Sequence, residues 1–236
     1  MSTTINIPCM ILAAGRGERM RPLTDHTPKP LLKVQGKTLI DWHIDGLAQS
    51  GANRIVINHA WLGGKIVEHT QQMNSAIDIR LSAEVSALET AGGLRQALPL
   101  LDPQDYFFVI NGDVFCPDFP FSRIQEIVKT IQSQKNEVLA YLFLVPNPEH
   151  HLEGDFCLNG AWLREDTPEL PKFTFSGAGI YHRKLINHLA LGEIAKLAPL
   201  LKEAITKDQV MGELLQVNWV DVGTPERLAE LNKEKL

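Results

Sequence analysis

The sequence predicts an α/β protein: a Rossmann-like, mainly parallel sheet flanked by helices, with a small β-rich lobe over residues 147–181. Three observations lead there. Short apolar runs alternate with amphipathic stretches from residue 7 to residue 145, the rhythm of successive βαβ units. Two of these runs end in glycine-containing turns, at Gly15 and at Asn111-Gly112, where an open α/β sheet presents ligands. After Pro146 the pattern becomes polar and hairpin-like, through Leu158-Asn159-Gly160-Ala161. The length of 236 residues fits a single domain over 1–236, with the lobe inside it.

Residues 7–14 read as a buried strand ended by glycine, and 31–34 as a short strand closed by the Gln35-Gly36 turn. Thr38 then caps a helix whose Leu39, Ile40, Ile44, Leu47 and Ala48 share one face, and Gly51 ends it. A strand at 54–58, a helix at 64–73, a strand at 77–82 and a helix at 92–100 follow. Residues 106–110 form a continuous apolar strand running into Asn111-Gly112-Asp113, ahead of an amphipathic helix at 121–134 and a strand at 138–145. A strand at 173–181, a helix at 196–206 and a strand at 216–222 come next. A terminal helix starts after Thr224-Pro225, with Thr as N-cap and Pro at the first helical position.

Composition narrows the classes of function. The chain is 44% hydrophobic and 22% charged, and no apolar run approaches the roughly 18 residues that cross a bilayer. Residues 1–8 lack the basic start of an export signal, so a cytoplasmic protein without a membrane partner is expected. Cys9, Cys116 and Cys157 are widely spaced, which argues against both a disulfide framework and a zinc site. The net charge of -5 disfavours nucleic acid. The first forty residues are nevertheless basic, with Arg16, Arg19, Arg21, Lys29, Lys33 and Lys37 against Glu18 and Asp25. That segment suits a small anionic ligand or, equally, a solvated basic surface.

The chemistry-bearing motifs begin at Leu12-Ala13-Ala14-Gly15-Arg16-Gly17. Backbone N–H groups after a strand can form a concave nest for phosphate oxygens, with glycines allowing close approach. Met20 and Pro22 exclude a dinucleotide fingerprint, and no Gly-Lys-Ser/Thr follows to make a Walker loop. Alone, the Gly-x-Gly is a tight turn. Arg19 and Thr27-Pro28-Lys29-Pro30 add charge, with two prolines fixing the backbone on either side of a lysine. Asp113 and Asp221 each end a predicted strand or lie near its end, and a hard cation wants one or two carboxylates beside substrate phosphates. Taken singly, each is better read as a turn or helix-capping aspartate. His150-His151, near Asp155, reads as solvent-exposed and Trp61 as packing.

The composite pattern Leu12-Ala-Ala-Gly-x-Gly-x-Arg-Met-x-Pro-Leu-Thr-x-x-Thr-Pro-Lys29-Pro resembles that of the sugar-1-phosphate nucleotidyltransferases. The resemblance continues through Glu89-Thr-Ala-Gly-Gly-Leu94, Asn111-Gly-Asp-Val114 and Trp219-Val-Asp-Val-Gly-Thr224, covering nearly the whole chain. Within that family the chain is most similar to the N-acetylmuramate 1-phosphate uridylyltransferases of peptidoglycan recycling, through Ile57-Asn-His-Ala-Trp-Leu-Gly63, Phe173-Thr-Phe-Ser-Gly177 and Lys196-Leu-Ala-Pro-Leu-Leu201. The resemblance implies catalysis by Arg19, Lys29 and Asp113, with Mg2+ on Asp113 and Asp221. It implies nucleotide binding by Leu12, Ala13, Ala14, Gly15, Arg16, Gly17, Lys29, Glu84, Thr90 and Gly92, and sugar contacts from Asn111, Gly154, Asp155 and Ser176. The implied substrates are UTP and N-acetylmuramate 1-phosphate, giving UDP-N-acetylmuramate and pyrophosphate, in a monomer or small homo-oligomer. The residues themselves do not separate uracil from thymine or guanine. A mannose or glucose 1-phosphate guanylyl- or thymidylyltransferase, and a non-catalytic sugar-nucleotide-binding regulatory protein, are the alternatives.

Overall fold

The computed structural model describes residues 5–73 and 77–233, so residues 1–4 of the segment read for an export signal, 74–76 and 234–236 lie outside it. Strand β1 (Cys9–Leu12) is central, with Cys9 and Ile11 packed on one face and Met10 on the other. Burial on both faces is why the run is continuously apolar rather than alternating. The two-residue strands β2 (Lys33–Val34) and β3 (Lys37–Thr38) pair about the Gln35-Gly36 turn and lead into α1 (Leu39–Gln49). The Thr38 hydroxyl caps α1 by accepting from the Asp41 N–H at 3.3 Å. The alternation continues with β4 (Arg54–His59), α2 (Gly63–Gln72), β5 (Asp78–Ala83), α3 (Glu89–Leu101) and β6 (Tyr106–Asn111). Then come the short β7 (Val114–Phe115), α4 (Ile124–Gln132) and β8 (Ala140–Val145). The hairpin strands β9 (Phe156–Asn159) and β10 (Trp162–Arg164) precede the long β11 (Lys172–His182). Last are α5 (Leu197–Thr206), β12 (Val210–Leu214), β13 (Val220–Asp221) and α6 (Pro225–Lys233).

Among the described residues nine strands form one sheet in the order β5-β4-β1-β6-β11-β8-β12-β10-β9. The expected parallel arrangement holds from β5 to β6 and again between β8 and β12. It does not hold at β11, which runs antiparallel to both β6 and β8, nor at β10. The reason is connectivity. A crossover helix returns the chain parallel, whereas β11 follows the β9–β10 hairpin and enters in the opposite sense. The hairpin forms as predicted, with Trp162 opposite Asn159, and is hydrogen-bonded to β11 and β12 at the edge of the main sheet.

Helices cover both faces. Ile40 and Ile44 of α1 and Ile124 and Ile127 of α4 pack with Ile11, Ile57 and Phe108 on one side. Leu94 and Leu98 of α3 and Leu197 and Leu201 of α5 pack with Met10, Val56 and Phe107 on the other. A third cluster, Met20, Leu32, Val34, Phe115, Val222, Leu228 and Leu231, ties β7 and α6 to the segment after β1. It fixes the loops that carry the candidate site. Among the described residues no helix is long and apolar enough to cross a membrane.

Candidate active site at the ends of the central strands

Register builds the floor of the site. Leu12 of β1 lies beside Asn58 of β4 on one side and Asn111 of β6 on the other, so three parallel strands end together. The chain then leaves β1 through Ala13 to Gly17 and leaves β6 through Gly112-Asp113. Gly112 is needed for close approach, because a Cβ there would stand 2.8 Å from the Leu12 carbonyl oxygen. Its N–H donates to that same oxygen at 2.8 Å, which anchors Asp113 beside the end of β1. Gly17 has φ +68, and the Thr24 hydroxyl donates to its carbonyl at 2.8 Å, folding 17–24 back on itself.

The short β7–β13 pair brings the two aspartates together. Asp221 pairs with Val114, and the Val222 N–H donates to the Asp113 carbonyl at 3.1 Å. Between their carboxylates lies Lys29, in the 3-10 turn Lys29–Leu31, with its Nζ 2.6 Å from Asp113 Oδ2 and 3.9 Å from Asp221 Oδ1. Lys29 is only 7% exposed, so its charge is compensated locally rather than by water. Arg227 of α6 holds Asp221 from the other side, with Nη1 3.0 Å from Oδ2 and 3.1 Å from the backbone oxygen. Two converging carboxylates match what Mg2+ takes from a protein when phosphates complete its shell. Among the described residues there is no cluster of three or more His, Cys, Asp or Glu side chains that would make a cage without phosphate.

Two clefts meet at this point. The first, of about 440 Å³, is lined by Leu12, Ala13, Ala14, Gly15 and Gly17 with Arg19, Lys29, Asn58, Glu84, Glu89 and Thr90. The second, of about 430 Å³, is lined by His150, His151, Asp155, Ser176, Trp219 and Asp221 among others. Arg19, Asn111 and Asp113 belong to the walls of both. The structure thus gathers most of the residues singled out from sequence.

Three of them lie elsewhere. Arg16 turns outward, with its guanidinium 3.7 Å over the Trp61 ring and its Nη atoms on the Thr24 carbonyl and Asp25. The hydrogen bond from Arg16 holds the Asp25 carboxyl below its ordinary pKa. Gly92 lies inside α3, which begins at Glu89, and its N–H donates to the Ala195 carbonyl at 3.1 Å. Gly154 sits at φ +63, where a Cβ would stand 2.8 Å from Asn147 Oδ1, and so serves its turn. Glu84 and Asp155 reach the clefts but are already engaged. Glu84 accepts from Asn58 Nδ2 at 2.6 Å and from the Leu88 N–H at 3.0 Å. Asp155 Oδ2 accepts from the Phe175 N–H at 2.8 Å.

Asn58, Glu89 and Arg227 are the residues that the sequence reading missed. Asn58 Oδ1 accepts from the Ala13 N–H at 2.8 Å, so with Glu84 it links the loop after β1 to the start of α3. A lone amide closing the apolar run of β4 was the available signal. Glu89 lines the first cleft with φ +61, a left-handed backbone that a non-glycine residue adopts at a cost. Nothing in the sequence announces it.

The nucleotidyl transferase family model matches residues 9–154. The N-acetylmuramate alpha-1-phosphate uridylyltransferase of Neisseria meningitidis serogroup B is 46% identical over 94% of this chain and 95% of its own length. The enzyme of the same name from Caulobacter vibrioides is 30% identical over 92% of each chain. In fold, the crystal structure of HddC from Yersinia pseudotuberculosis superposes with a TM-score of 0.75 at 18% identity, over 96% of this chain and 98% of its own. With its motifs, its α/β sheet and these matches in agreement, the chain belongs to the nucleotidyl transferase family.

Proposed function

We propose that the protein is a Mg2+-dependent uridylyltransferase that makes UDP-N-acetylmuramate and pyrophosphate from UTP and N-acetylmuramate 1-phosphate, acting in the cytoplasm in peptidoglycan recycling. The observation that carries the reading is the meeting of two clefts at Arg19, Asn111 and Asp113, in a chain 46% identical to an enzyme of that name. One cleft accommodates the nucleotide and the other the sugar phosphate. The polar loop after β8, the β9–β10 hairpin and the start of β11 that pairs with it, within residues 147–181, would supply the sugar-binding lobe of a single domain.

A phosphate oxygen of the sugar phosphate attacks the α-phosphorus of UTP, a new P–O bond forms, and the bond to the pyrophosphate leaving group breaks. The attacking oxygen is already ionised, so no general base is required, and positioning and charge neutralisation are the protein's main tasks. Arg19, on both walls, orients phosphates of both substrates. Lys29 neutralises charge as it develops on the phosphoryl oxygens. Asp113 and Asp221 would hold Mg2+, which supplies further neutralisation when bound. The Ala14 to Gly17 backbone cradles the triphosphate, and Thr90 lies on the wall toward the base.

The test is pyrophosphate release measured with UTP, dTTP and GTP against N-acetylmuramate, mannose and glucose 1-phosphates. UTP with N-acetylmuramate 1-phosphate is expected to give the highest kcat/KM. Preference for GTP with mannose 1-phosphate would replace the reading with guanylyl transfer, and nucleotide binding without any turnover would make the protein a sensor.

A further inference from the structure

The second cleft contains a side-chain pair that uridylyl transfer leaves unused. His151 Nε2 lies 3.0 Å from Asp155 Oδ1, and Asp155 Oδ2 takes the Phe175 N–H. Both oxygens of that carboxylate are therefore committed inside the protein, and what the pair offers the cleft is an imidazole. Among the described residues no hydrogen bond reaches the other ring nitrogen, Nδ1, and the His151 side chain is 38% exposed. The loop that carries it is anchored. Asn147 donates to the Leu152 and Lys172 carbonyls at 3.0 Å each and accepts from the Thr174 hydroxyl at 2.9 Å. His150, next in the chain, lies in the fields of Arg227, Asp221, His151 and Arg19, so the histidines and the catalytic arginine face one space.

The proposed sugar substrate has two anionic groups on well-separated ring positions: the phosphate at C1 and the carboxylate of the lactyl ether at O3. N-acetylglucosamine 1-phosphate differs by lacking only the second. Asp113 and Asp221 lie on the β7–β13 wall, where the phosphate reacts, and would repel another carboxylate. His151, on the loop before β9, lines the same cleft and offers it a nitrogen donor instead of a like charge. The Trp219 N–H is spent on the Ser176 carbonyl at 2.9 Å. We propose that His151, oriented by Asp155, forms a subsite for the lactyl carboxylate, its imidazolium donating from Nε2 to Asp155 and from Nδ1 to the ligand. This subsite rests on the uridylyltransferase reading and gives it a specificity determinant.

The experiment compares kcat/KM for N-acetylmuramate 1-phosphate and N-acetylglucosamine 1-phosphate in the full-length enzyme and in His151→Ala, His151→Lys and Asp155→Asn. The ratio of the two is expected to fall roughly 10- to 100-fold in His151→Ala, the weight of one charge-assisted hydrogen bond, through KM for the muramate substrate rather than kcat. Asp155→Asn should lower the ratio less, and His151→Lys should recover part of it. Equal losses for both sugars in His151→Ala would mark a merely structural role and overturn the subsite. A selectivity that survives His151→Ala would overturn the subsite alone. A wild-type enzyme that rejects the muramate substrate, or does not distinguish it, would overturn the function reading together with the subsite.

Discussion

Lys29 and Asp113, 84 residues apart in sequence, share a 2.6 Å hydrogen bond at the junction of the two clefts. Asp221 stands 3.9 Å from the same ammonium, so one buried cation serves two carboxylates at the proposed reaction centre. Replacement of Lys29 by Met should lower kcat by about 10²–10³-fold, the range for removal of one preorganised electrostatic group. Single-turnover kinetics on protein with an unchanged circular dichroism spectrum would measure it. Near-normal turnover would remove Lys29 from the machinery.

The glycine-rich loop also sets the position of that lysine. A Cβ on Gly17 would stand 3.0 Å from Thr24 Cγ2 and 3.3 Å from Lys29 Cβ, at a φ of +68. Gly17→Ala should therefore cost about 1–2 kcal/mol of stability, by backbone strain, and lower kcat by shifting Lys29. Urea denaturation beside steady-state kinetics tests both parts. Unchanged stability with unchanged kcat would mean that the loop relaxes freely.

Asn58 braces the first cleft, the proposed nucleotide site. Asn58→Ala strands the buried Ala13 N–H and removes a donor from Glu84, for an expected loss of about 1–3 kcal/mol. KM for UTP should rise with it, because both walls of the first cleft depend on the link. A stability loss with KM unchanged would confine Asn58 to a structural role.

Acid should destabilise the protein through its histidines. His43 is 1% exposed, and burial pushes its pKa from 6.5 down to about 4. Between those values the unfolded chain binds a proton that the fold refuses, so stability falls as pH drops through that window and levels off above it. Burial also lowers the pKa values of His59 and His182, in the same direction. His43→Gln should make the fall in melting temperature from pH 6.5 to pH 4 shallower without abolishing it. An unchanged slope would contradict the assignment.

Much of the fold was legible because the first half follows one period at a time. β1, β4 and β6 are apolar runs buried on both faces, and α1 announces its start through Thr38. The reading failed where tertiary contacts decide. β12 lies in Val210–Leu214, where Gly212 and Glu213 interrupt the apolar run, and it forms because β8 and β10 flank it. β7 has two residues and exists through its pairing with β13, although that pairing is what brings Asp113 to Asp221. Of the site, the loops were visible as motifs, whereas the direction of a side chain was not. Arg16 and Lys29 look alike in sequence, yet one stacks on Trp61 and the other lies between the aspartates.

The most direct test of the central claim, that the two clefts meet at a phosphate-transfer centre built on Asp113, is pyrophosphate release by Asp113→Asn. The variant should fold, bind UTP and release pyrophosphate from UTP and N-acetylmuramate 1-phosphate at least about 10²-fold more slowly than the wild type in saturating Mg2+. Release within a few-fold of the wild-type rate would contradict the account.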